Sequence, residues 1–256
     1  MKQHLHKSPT AQKTMPPRTA LQRKLQIRPP GKGEASAFDR AQELIDRLDT
    51  ISPAISYELK GQDLEYKVKD ATALTYFDKK MMWFIDHAQL VPMRLVTSAG
   101  YVGGNGNYQP VFADSFRTGY VDLDDLMKDD LVSFQSDLVH FLTERFQVKD
   151  YARRIGTNIQ QSVFDKAHAA GKQAEAALLQ DLLGDASIVF VYEETKANGK
   201  FVNFFKSVDE GYSVYQVTPP YEQREIVGGT MWVRKKDGTR LLLTDFLKER
   251  AAAAGK

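Results

Sequence analysis

The chain has 256 residues, of which 42% are apolar and 27% charged, so it is neither globally disordered nor too short to bury a core of one large domain or two small ones. It has no cysteine, which excludes disulfides, thiolate metal sites and cysteine nucleophiles and leaves any metal to Asp, Glu and the five histidines. A net charge of +2 conceals a segregation: residues 1–33 carry eight Lys or Arg and no acid, which leaves 27 basic against 33 acidic groups in residues 34–256.

The first 33 residues also hold five of the ten prolines and few apolar side chains, a composition unable to offset the entropy of ordering a backbone. The expectation is a disordered basic arm over 1–34, followed by a single domain over 35–256 with possible halves at 35–184 and 185–256. Within the arm, Leu21, Arg23, Lys24, Leu25 and Ile27 interleave apolar and basic side chains as a short segment for docking on a partner.

From Ser36 the spacing of Phe38, Ala41, Leu44, Ile45 and Leu48 predicts an amphipathic helix. Leu64, Tyr66 and Val68 alternate as a strand, and Leu74, Phe77, Met81, Phe84, Ile85 and Ala88 form the stripe of a second helix. Residues 93–97, 109–113 and 118–121 read as short strands, the first two joined by a loop with four glycines and two asparagines. Long helices are expected near 124–146 and 160–183. Strands follow at 188–193, 201–206 and 212–217. A last hairpin pairs 230–235 with 239–243 around Asp237-Gly238, a pair suited to a type I′ turn, and Thr244 caps a C-terminal helix. Helices grouped beside a late run of antiparallel strands predict an α+β fold: a mixed, largely helical N-terminal half, then an antiparallel sheet with a terminal helix.

Several local patterns invite chemistry and fail its tests. The glycine-rich loop 99–107 lacks the Gly-Lys-Ser/Thr or third glycine that a nucleotide site needs. Asp122, Asp124, Asp125, Asp129 and Asp130 resemble a calcium loop, but Met127 stands where a glycine is required and Ser133 where a glutamate is. Helix capping by Asp122 accounts for the same residues. The late aromatics, among them Phe190, Tyr192, Phe204, Tyr215 and Trp232, suit cross-strand packing better than base stacking, because the chain after the arm is net acidic.

Two groups remain. Asp137, His140 and Glu144 sit at i, i+3 and i+7 on one helix face, opposite Leu131, Phe134, Leu138 and Leu142, which predicts a solvated polar face. In the next helix His168 and Glu175 share the apolar side with Phe164, Gly171, Leu178 and Leu182. Buried ionisable groups need partners, so these two either satisfy each other within the core or face a cleft. The weak catalytic candidates are therefore His140, Glu144, His168 and Glu175, and the weak metal-ligand candidates Asp137, His140, Glu144 and His168. No nucleophile elbow, His-Glu-x-x-His or kinase-like set occurs, so neither an enzyme class nor a cofactor follows.

Taken together, Leu-Gln-Arg-Lys-Leu-Gln-Ile (21–27), Gly119 to Asp125, Leu138 to Arg145, the spaced set Phe164, His168, Gly171, Ala174 and Glu175, and Gly228-Gly229 before the last hairpin resemble an uncharacterised bacterial family associated with phage-tail-like contractile injection systems. The resemblance implies a cargo or accessory protein, made in the cytoplasm and exported inside an injection particle, with the basic arm as its docking leader and tube or sheath components as partners. Related toxin-like proteins carry a zinc peptidase motif; here Phe141 and Glu144 stand in place of its catalytic Glu and second His.

Three functions follow as expectations: cargo or accessory protein docked through the arm; metal-dependent hydrolase or toxin using His and Glu ligands on two adjacent helices; and nucleic-acid binder using the arm. No run of the roughly 20 apolar residues of a membrane helix, and no signal-like apolar segment, is present.

Overall fold

A computed structural model describes residues 25–32, 36–98, 113–220 and 228–254. The fold is α+β, with one mixed sheet, one antiparallel sheet and two long helices between them.

The first sheet uses β1 (Leu25–Arg28), β2 (Ile55–Lys60), β3 (Asp63–Val68), β4 (Val91–Val96), β5 (Asp114–Ser115) and β6 (Tyr120–Asp122), in the order β2-β3-β1-β4-β6-β5. β1 runs parallel to β4, with Leu25 opposite Val91 and Arg28 opposite Arg94, and antiparallel to β3. α1 (Ala41–Ile51) buries Ala41, Leu44, Ile45 and Leu48, the stripe its spacing predicts. α2 (Tyr76–Asp86) starts at a capping box: the Thr75 hydroxyl accepts from Asp78 N while the Asp78 carboxylate accepts from Thr75 N.

β1 corrects the expected extent of the arm. Leu25 and Ile27 are fully buried in the first core, so they dock on this chain's own sheet and are no partner-binding surface. Their alternation fits a strand buried on one side, although four residues between a basic run and two prolines carry little sequence signal. Leu21, Arg23 and Lys24 lie outside the described residues, as do the glycine-rich loop 99–107 and most of the strand expected at 109–113.

The helix expected over 124–146 is two helices, α3 (Leu123–Lys128) and α4 (Leu131–Gln147). The break is a new N-terminus: Asp129 is extended, and Asp130 accepts from Val132 N and Ser133 N while its other oxygen accepts from Met231 N. Asp122 caps α3 through Asp125 N. α5 (Tyr151–Arg154) is a single turn, and α6 (Gln161–Leu183) ends at Gly184, whose φ of +62° suits glycine.

The second sheet is an antiparallel meander of β7 (Ile188–Thr195), β8 (Phe201–Ser207), β9 (Ser213–Thr218), β10 (Thr230–Arg234) and β11 (Arg240–Leu242), closed by α7 (Leu243–Ala254). Helix α7 begins one residue before Thr244. In the last hairpin Gly238 has positive φ and Asp237 does not, so the connection is not the expected type I′ turn. Lys235 N donates to Thr239 O around a longer loop with glycine in the left-handed position. The late aromatics pack across strands: Tyr192 stacks on Phe204, and Phe204 meets Tyr215 with its ring tilted.

α4 and α6 are the seam between the sheets. Phe134, Leu138, Phe141 and Leu178 belong to the first core, while Val132, Ala176, Leu179 and Leu183 join the second. Covered on both sides, α4 has no solvated face. That overturns the expectation for Asp137, His140 and Glu144: periodicity identifies which residues share a face, and the second sheet with α6 covers it. Among the described residues, no helix is long and apolar enough to cross a membrane.

Candidate metal centre

Gly171 lets α6 approach α4 closely. A Cβ at that position would stand 3.0 Å from the His140 ring and 3.1 Å from Glu144 Cγ, so a side chain here presses on both residues. Across this contact His140, Glu144, His168 and Glu175 meet, the four residues whose helical spacing suggested chemistry.

His140 Nε2 lies 2.8 Å from Glu144 Oε1 and 3.2 Å from His168 Nδ1, and His168 Nδ1 lies 2.6 Å from the same Glu144 oxygen. Three potential ligand atoms thus form a triangle. Donors about 2.1 Å from one ion stand about 3.0–3.4 Å apart in octahedral or tetrahedral arrangements, so small adjustments suffice to seat a metal. This is the one cluster of three such residues among those described. Asp137 is not part of it.

The remote nitrogen of each ring meets another carboxylate. His140 Nδ1 contacts Glu175 Oε1 at 2.5 Å, and His168 Nε2 lies 3.0 Å from both oxygens of Glu193. Carboxylates behind metal-bound imidazoles hold the ring orientation and the tautomer that presents a lone pair forward. Glu193 gives no sequence signal, because it lies on a mostly exposed strand and its role depends on how β7 crosses α6.

Lys172 completes the charge balance, with Nζ 3.2 Å from Glu193, 3.4 Å from Glu175 and 2.8 Å from Asn203 Oδ1. Without metal, three cations (Lys172 and the protonated forms of His140 and His168) face three carboxylates (Glu144, Glu175 and Glu193). Burial and the Lys172 charge push the His140 pKa down, but Glu175 and Glu144 outweigh them and raise it to about 10. Burial pushes Glu144 up, and its contacts with His140 and His168 more than reverse this, holding it at about 2. His168 is likewise raised: Glu144 and Glu193 overcome its burial. Exchanging the protons on His140 Nε2 and His168 Nδ1 for one divalent ion leaves the cluster's net charge unchanged.

The cluster lines a cavity of about 440 Å³ between α4, α6 and the second sheet, within the usual size of small-ligand sites. Phe116, Phe141, Phe164 and Phe201 form its apolar wall. A polar chain leads away from the cluster: Lys172 to Asn203, Asn203 Nδ2 to Gln216 Oε1 at 3.0 Å, and Gln216 Nε2 to Asp137 Oδ1 at 2.7 Å. Asp137 in turn faces Asp129. Burial, then the Asp137 charge, hold the Asp129 carboxyl well above its ordinary range.

Next to Glu144, the fully buried Arg145 fastens α4 to the first sheet, donating to Tyr120 O at 2.9 Å and pairing with Asp114 at 3.0 Å. Asp114 also lines the cavity, and the residue before it, Ala113, has a φ of +50° that an alanine rarely adopts.

Fold and site together define the class: an α+β protein with a buried candidate metal centre of two histidines and one glutamate at the junction of its two cores. Comparison of the chain with protein-family models, curated proteins and solved structures finds no match.

Proposed function

We propose that the chain is a metal-dependent hydrolase whose ion is held by His140 Nε2, Glu144 Oε1 and His168 Nδ1. The observation that carries this reading is the convergence of these three donors within 3.2 Å, with both remote ring nitrogens backed by carboxylates. Two histidines and a carboxylate leave coordination positions open, and an ion so held lowers the pKa of bound water and polarises a carbonyl.

The chain's own residues supply the rest. Glu175 and Glu193 fix the two rings. Lys172 is the single lysine or arginine among the described cavity-lining residues, and its ammonium is placed to steady negative charge developing on a substrate oxygen. An anionic co-substrate or phosphate ester would meet six acidic side chains among the described lining residues, whereas water meets no such repulsion, which favours hydrolysis.

Metal analysis of full-length protein, purified without chelator and titrated with zinc, manganese and iron(II), tests the reading. Close to one ion per chain, lost in His140→Ala and His168→Ala, is the expected result. Failure of all three metals to bind at micromolar concentration overturns it.

The cargo role is a separate proposal about how the chain travels. It rests on the resemblance and on residues 1–24, which hold six basic side chains and no acid. Deletion of residues 1–24 is expected to abolish loading into an injection particle. Unchanged loading sinks the idea.

A further inference from the structure

Beyond the metal cluster, the cavity holds a second arrangement with a different chemistry. Asp129, at the break between α3 and α4, is 7% exposed. One of its oxygens, Oδ1, accepts from Gly229 N at 2.5 Å, while Oδ2 is buried and receives no N–H, so that the side chain's other partner is the Asp137 carboxyl. Asp137 lies beside it, with Oδ1 already taken by Gln216 Nε2. Both residues line the cavity.

The position is rigid. Gly228 packs so tightly on Asp129 that a Cβ there would stand 2.4 Å from the Asp129 backbone nitrogen, and Asp130 N donates to Gly229 O at 2.9 Å. Two carboxyl groups are therefore held together in a buried wall, and burial with the neighbouring Asp137 charge keeps on Asp129 a proton that a bound cation would replace. No third ligand residue joins them, since the metal cluster is the one group of three among the described residues. Two carboxylates suit a ligand that brings its own N–H donors and positive charge.

The rest of the cavity agrees. Among the described residues six acidic side chains line it against one lysine, and that lysine is already paired with Glu175 and Glu193. Four phenylalanine faces complete the wall, a surface that attracts an organic cation. Asp137 lies one helical turn before His140, so a cation seated on the pair has its neighbouring atoms directed to the metal ligands.

We infer that Asp129 and Asp137 form a cation-recognition subsite, and that the substrate carries an ammonium, amidinium or guanidinium group next to the bond to be cleaved. This deepens the hydrolase reading and rests on it for the word substrate. The subsite itself does not need the metal.

Three probes of one shape test the inference on full-length protein: benzamidine, benzamide and benzoate, titrated at pH 7 with and without saturating zinc and followed by ligand-observed NMR. Benzamidine is expected to bind at least about ten-fold more tightly than benzamide, a preference equal to about 1.4 kcal/mol, with benzoate weakest. Asp129→Asn and Asp137→Asn should each remove the preference, and His168→Ala, which loses a metal ligand, should keep it. Equal binding of benzamidine and benzamide overturns the inference whether or not either Asn variant folds. So does a preference that survives in both folded Asn variants, or a second zinc ion that displaces benzamidine. Zinc binding without amidine preference removes the subsite alone, and amidine preference without zinc binding removes the metal reading alone.

Discussion

His140 Nδ1 lies 2.5 Å from Glu175 Oε1 across the junction of α4 and α6, and this contact selects which nitrogen of the His140 ring faces Glu144 and His168. Glu175 is therefore a positioning residue, acting through His140. Glu175→Gln is expected to weaken metal binding 10- to 100-fold, while Glu193→Gln, at a more exposed position, weakens it less. Metal dissociation constants measured by competition with a chromophoric chelator check both. An unchanged constant in Glu175→Gln would show that the ring is fixed by packing alone.

A metal at this cluster would compete with protons for the same nitrogens. His140 and His168 are both held above the ordinary histidine value of 6.5 in the metal-free protein. At pH 6, zinc binding should release close to two protons per ion, one from each ring, and apparent affinity should rise with pH. An indicator dye in weak buffer reads the release directly. Release near zero at this pH would mean that zinc binds elsewhere.

The same shifts set the stability of the metal-free protein. His140 titrates at about 10 folded against 6.5 ordinarily, so its contribution is fully present below pH 6.5 and is lost as pH rises through about 10. Glu144 titrates at about 2 against 4.5, so its contribution is present above pH 4.5 and lost as pH falls through about 2. Melting temperature in EDTA should therefore fall on both sides of a plateau between about pH 4.5 and 6.5, and His140→Gln should flatten the alkaline side between pH 7 and 10. An alkaline limb identical in His140→Gln would assign it to other groups.

Gly171→Ala separates helix propensity from packing. Within a free helix the change is favourable by about 1 kcal/mol, but here the new methyl meets the His140 ring at 3.0 Å and Glu144 at 3.1 Å. The expected outcome is metal affinity reduced about ten-fold as the two ligands are pushed aside, with urea denaturation showing a stability change smaller than about 2 kcal/mol. Full affinity in this variant would show that the ligands have room to retreat.

Ile27→Ala tests the buried first strand. Removing a fully buried isoleucine side chain costs about 2–5 kcal/mol, so urea unfolding should shift by that amount. Deletion of residues 1–24 should leave the unfolding midpoint near that of the full chain, whereas deletion of 1–28 should abolish cooperative unfolding. Equal midpoints for the two deletions would place β1 outside the folded unit.

Local pattern carried much of the fold and less of the site. The stripes of α1 and α2 and the late meander are legible because each buries one face, so their periods survive in the sequence. β2 went unread: Ile55 and Tyr57 alternate with polar residues for too short a span to stand out beside Pro53. α4 shows the deeper limit. Its period correctly groups Asp137, His140 and Glu144, yet wet or dry depends on β9, β10 and α6, which arrive 20 to 90 residues later. His168 and Glu175 were visible as odd residues on an apolar stripe. Lys172, Asn203, Gln216 and Glu193 were not, because each sits at an ordinary polar position until tertiary packing brings it to the cavity.

The placement of β1 has a mechanical consequence. The strand is flanked on one side by parallel β4 and on the other by antiparallel β3, so tension on the residues before Leu25 acts along its length and strains the ladder bonds on both flanks together. A polypeptide handle attached at the N-terminus is thus geared to the middle of the sheet. Traction strong enough to extract it would open the first core, to which α4 contributes Phe134, Leu138 and Phe141, and would so part His140 and Glu144 from His168.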